Sequence, residues 1–131
     1  SGVFIAAYAE KRFTSSVTQR LGVAAYELLS NALSYGTVTH PVVFEMFDTL
    51  DGVEIEVVNG AIPARIKMLQ AQLGKLKTDP ESTYMEEMRR SLGGGYPRAM
   101  LGLARVCHEQ RMPLELSLDD QLVTLTARTA R

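Results

Sequence analysis

Along this chain the spacing of apolar residues switches between a helical and a strand period. The opening Val3-Phe4-Ile5-Ala6-Ala7-Tyr8 is an unbroken apolar run, short enough to be read as a strand. Beyond Thr14-Ser15-Ser16, whose side-chain oxygens suit a helix N-cap, Val17, Leu21, Ala24, Leu28 and Ala32 recur three or four residues apart. That spacing predicts a long amphipathic helix, and Gly36 is expected to close it with a left-handed C-cap. The period then falls to two. Val42–Phe47 and Val53–Val58 flank Asp51-Gly52, a pair suited to hairpin turns, and predict an antiparallel hairpin. In its second arm Val53, Ile55 and Val57 alternate with Glu54 and Glu56, the pattern of one buried and one wet face.

The helical period returns over Ile62–Lys77, with Ile62, Ile66, Leu69 and Leu73 on one stripe, until Asp79-Pro80-Glu81 breaks and restarts the chain. A further helix is expected over Glu81–Leu92. Gly93-Gly94-Gly95-Tyr96-Pro97 cannot continue it and reads as a loop. Helix resumes near Ala99 and carries Met100, Leu103, Val106 and Cys107 toward a core. A second hairpin, Leu114–Leu118 and Gln121–Ala127 joined at Asp119-Asp120, closes the chain. This order predicts an α/β (α+β) two-layer sandwich with the helices on one face of a mostly antiparallel sheet. A length of 131 residues suits one domain over residues 1–131.

Composition narrows the functional classes. Hydrophobic residues at 46% and charged residues at 22% supply a core and too little charge for a disordered chain. A net charge of -1 provides no general attraction to nucleic acid or to anionic membranes, so neither is expected as a partner. The local basic stretch Arg65, Lys67, Lys75 and Lys77 alternates with apolar residues and reads as the solvated face of a helix. Cys107 is the single cysteine, which excludes an intrachain disulfide and suits a reducing cytoplasm. No apolar run approaches the roughly 20 residues that span a bilayer, and Ser1-Gly2-Val3 does not read as a signal peptide.

Three constellations could carry chemistry. Glu27 and Asn31, four apart on the first helix, project from one side. Such a pair serves a phosphate site, the carboxylate orienting or deprotonating a hydroxyl and the amide oxygen supplying a hard ligand to Mg²⁺. It equally suits the polar rim of an ordinary amphipathic helix. Asn59-Gly60, after the hairpin, is either part of a ligand site or a strand-to-helix turn in which Gly60 takes positive φ. Gly93, Gly94 and Gly95 lead into a helix whose first amides could hold an anion, with Arg98 either contacting phosphate or lying exposed in the first turn. His40 and His108 stand alone. Cys107 and His108, being adjacent, point to different helical faces and do not make a metal site.

The run Glu27-Leu28-Leu29-Ser30-Asn31-Ala32-Leu33-Ser34-Tyr35-Gly36 resembles the N-box of the GHKL superfamily of histidine kinase-like ATPases. The run from Gly93 to Arg105, with Gly102-Leu103 near its end, is most similar to the SiaB-like branch of the anti-sigma-factor serine kinases. The resemblance implies the histidine-kinase-type ATP-binding (Bergerat) fold, Glu27 as general base or water-orienting acid, Asn31 as the Mg²⁺ ligand, and Gly93, Gly94, Gly95 and Gly102 folded over the ATP phosphates. Asn59 and Gly60 would then stand in the adenine-binding box, where the family has Asp and where Ala61 replaces a glycine. Tyr96-Pro97-Arg98 likewise departs from the flexible glycines of the family loop. The implied activity is phosphorylation of a serine or threonine on a small signalling partner of the anti-sigma-antagonist type, with a homodimer as a further expected state. The departures leave open a pseudo-ATPase that keeps the fold as a non-catalytic protein-binding module.

Overall fold

The computed structural model describes residues 13–93 and 98–131, apart from the side chains of residues 98–100. The expected strand Val3–Tyr8 lies outside them. Helix α1 spans Ser15–Tyr35, and its N-cap Thr14 accepts a hydrogen bond from the Val17 amide at 3.4 Å. Val17, Leu21, Ala24, Leu28 and Ala32 are all buried, as their spacing predicts. Gly36 does terminate the helix, but through extended backbone (φ -69, ψ 149) rather than a left-handed cap. A glycine is needed there for space, because a methyl group would lie 2.5 Å from the Ala32 carbonyl oxygen.

The first hairpin is formed by β1 (Val43–Asp48) and β2 (Val53–Gly60), and the second by β3 (Leu114–Asp119) and β4 (Leu122–Thr129). Thr49 ties the first turn, its hydroxyl donating to the Gly52 carbonyl and accepting from the Gly52 amide. The second turn falls on Asp120-Gln121, one residue later than expected, with Asp120 in the left-handed region at φ 55. Aspartate tolerates that conformation better than most residues. The hairpins join through β2 and β4, giving an antiparallel sheet of order β1-β2-β4-β3.

Helices α2 (Pro63–Thr78), α3 (Pro80–Leu92) and α4 (Arg98–His108) complete the described architecture. Asp79 separates α2 from α3 and caps the latter by accepting from the Ser82 amide at 3.1 Å. Ile62 does not belong to the buried stripe; it precedes Pro63 and is 57% exposed, whereas Leu69, Leu73 and Leu76 carry α2 into the core. Val53, Ile55 and Val57 of β2 and Val123, Leu125 and Ala127 of β4 turn one sheet face toward α1 and toward Leu103, Ala104 and Val106 of α4. Glu54, Glu56, Thr124 and Thr126 occupy the other face, so the architecture is α+β in two layers. No helix among the described residues is long and apolar enough to cross a membrane.

Candidate functional site

The acid and amide of α1 do not form a solvated rim. Glu27 is 5% exposed and Asn31 is 2% exposed, both turned toward the protein interior. Glu27 meets α4 at Gly102, where any added methyl group would overlap its carboxylate oxygen Oε2. The glycine at this position therefore makes room for the acid. On its other side Glu27 borders an open groove of about 420 Å³ that Gly22 and Tyr26 share with Arg105 and Gln110. Arg105 of α4 is ion-paired at 3.5 Å with Glu109, just past the end of the helix.

These contacts fix the direction of α4 against α1. Moving from Glu27 back toward Gly22 matches moving from Gly102 forward toward Gln110, so the two helices are antiparallel. Asn31 is one turn along α1 in the other direction and Arg98 is four residues before Gly102, each about 6 Å of helical rise. Running antiparallel, α1 carries Asn31 from the Glu27–Gly102 contact in the direction of the first turn of α4, whose amides have no intrahelical acceptors. The Asn31 Nδ2 has no hydrogen-bond partner among the described residues. A buried amide left unpaired is unfavourable unless a ligand or another group completes it.

The glycine loop is only partly described. Gly93 caps α3 in right-handed conformation (φ -77, ψ -7), its amide donating to the Arg90 carbonyl at 3.1 Å. Gly94, Gly95, Tyr96 and Pro97 lie outside the described residues, as does the side chain of Arg98.

Asn59 and Gly60 are the last residues of β2 and not a free turn. Gly60 does not take positive φ. It is required because the chain after α1 folds onto it: the Thr37 amide donates to its carbonyl at 3.0 Å, and a methyl group would stand 2.8 Å from His40 Nδ1. Asn59 is buried and donates from Nδ2 to the Gly60 carbonyl at 3.0 Å, which turns Oδ1 into the accepting end of the amide. Ala61 is fully buried, and its amide donates to the Gln121 carbonyl at 3.0 Å.

Two features escape the linear reading. Arg65, expected on a solvated face, is 5% exposed and stacks on Tyr35 with 3.9 Å from the guanidinium carbon to the ring centroid. Burial lowers its pKa from the ordinary value, against an opposing effect of Tyr35, and the guanidinium stays charged at any physiological pH. The only prior signal is that Arg65 falls four residues before Leu69 on the inward stripe. Glu87 of α3 is also buried, and desolvation raises its pKa despite nearby Arg90. Burial similarly pushes the Cys107 thiol up to about 11, so it is a small core group and not a nucleophile at neutral pH. His108 stacks with Tyr84 at 4.7 Å between ring centroids.

No protein-family model matches the chain, and no curated protein matches it.

Proposed function

We propose that the chain is a cytoplasmic ATP-binding regulatory protein resembling the anti-sigma-factor serine/threonine kinases of the GHKL superfamily. The observation that carries this reading is the buried Asn31 side chain, whose unpartnered Nδ2 is a donor available to a phosphate oxygen while Oδ1 is the atom suited to a cation. In this reading Asn31 holds Mg²⁺ through its amide oxygen, while the glycine turn and the first amides of α4 receive phosphate oxygens. Asn59 offers Oδ1 to the base amino group. When bound, Mg-ATP supplies the transferable phosphoryl group. Glu27 orients a hydroxyl of the partner protein and accepts its proton.

A second reading has its own observations. Glu27 is lodged against Gly102, and Ala61 is fully packed where a base would need room. Each favours a pseudo-ATPase of the same architecture that captures a signalling partner without phosphoryl transfer. Tyr26 and Leu33, exposed seven residues apart on α1, provide an apolar ridge for such a partner.

Calorimetry and thermal denaturation with Mg-ATP separate the two. The kinase reading expects saturable heat and a raised Tm, both abolished by Asn31→Ala, with Glu27→Gln keeping the binding but losing any transfer. Absence of heat and of a Tm change at millimolar Mg-ATP would leave the module reading.

A further inference from the structure

We propose that the opposite end of the sheet carries a separate anion site that accepts the phosphate group of a small molecule. A cavity of about 390 Å³ lies there, bordered by the second turn of α1, the β1–β2 turn, the end of β4 and the turn after α4. That size is within the range of about 300–1,000 Å³ common for small-molecule pockets. Along β2 it begins at Val53, seven residues and roughly 23 Å from Gly60, so it is not part of the Asn31 site.

Three arginines from three different elements line it: Arg20, Arg111 and Arg128. Arg128 is committed, since its Nε pairs with Glu54 and its Nη1 reaches Glu115 at 3.4 Å. Arg20 and Arg111 form no ion pair among the described residues, and Arg20 Nε is buried there with no hydrogen-bond acceptor. Arg111 adds an independent observation, because its backbone sits in the left-handed region at φ 54, where glycine is the favoured residue. Asp51 also faces the cavity. Glu54 lines it too, so three guanidinium groups face two carboxylates, and with Arg128 paired to Glu54 the charge of Arg20 and Arg111 exceeds that of Asp51, which favours an anion. Guanidinium groups brought to one cavity by separate elements suit the several oxygens of a phosphate.

The test is an amide NMR titration of the whole chain with inorganic phosphate at constant ionic strength, with acetate as the second arm. Saturable shifts are expected at Gly52 and Thr129, with acetate much weaker. Arg20→Gln and Arg111→Gly should each weaken phosphate by roughly tenfold or more, the loss associated with one charged hydrogen bond. Arg111→Gly suits the local backbone, so its fold is secure even if Arg20→Gln perturbs α1. Unchanged phosphate affinity in Arg111→Gly, equal saturation by acetate, or shifts confined to Asn31 and Gly60 would overturn the proposal. Because the reporters lie at the far end of the sheet, this outcome is independent of Mg-ATP binding.

Discussion

At the residue scale, the contact between Glu27 and Gly102 gives the clearest energetic test. Replacing an interior helical glycine by alanine normally stabilises by about 1 kcal/mol, because glycine loses more backbone freedom on folding. At Gly102 the added methyl meets the Glu27 carboxylate in a closely packed interface, and overpacking costs about 1–3 kcal/mol. Gly102→Ala is therefore expected to lower the urea midpoint of the wild type. In a Glu27→Ala background, where the obstructing carboxylate is gone, the same substitution should be neutral or stabilising. A sign reversal in this double-mutant cycle reports direct coupling between the two positions. Equal effects in both backgrounds would show that Gly102 is needed for another reason.

At the element scale, the first hairpin carries an avoidable repulsion. Glu45 of β1 stands directly across from Glu56 of β2, on the sheet face turned away from the helices. Like charges in directly opposed positions destabilise an antiparallel pair, and opposite charges contribute about 0.2–1 kcal/mol. Glu45→Lys should raise stability by an amount in that range, and added salt should shrink the gain. Chemical denaturation at low and high salt measures both. The second hairpin differs, because Arg128 of β4 bridges Glu54 on one neighbouring strand and Glu115 on the other. These pairs are partly exposed, and their contribution to stability is correspondingly small.

At the scale of the whole molecule, β2 and β4 occupy the centre of the sheet and supply its most completely buried residues. Strands β1 and β3 have a partner on only one side among the described residues. Amides that open only on global unfolding should therefore concentrate in β2, β4 and the inward face of α1, with β1 and β3 exchanging sooner. Native-state hydrogen exchange tests this ranking, and slowest exchange in β1 would contradict it. The same centre separates two polar ends: Asn31, Asn59 and Gly60 at one, and Arg20, Arg111 and Arg128 at the other. A rigid sheet between them allows each end to be altered without dismantling the other.

The sequence by itself determined the elements and their inward faces, since apolar spacing reports directly which side of a helix or strand leaves water. The α1 stripe, the alternation in β2 and both hairpins were legible for this reason, and so was the α+β layering. Tertiary structure decided what local spacing cannot encode. It joined the hairpins through β2 and β4, buried Arg65 under Tyr35, and seated Glu27 on Gly102. Gly36 and Gly60 were marked as special by their residue type, but the cause is lack of space, against the helix's own Ala32 carbonyl for Gly36 and against the Thr37–His40 segment for Gly60, not the positive φ that a linear reading assigns. Periodicity is set by neighbours within a few residues, whereas the polar contacts depend on which elements meet. Packing of α1 against α4 and the sheet fixes that meeting, and with it the surroundings of every candidate site residue that the structure describes.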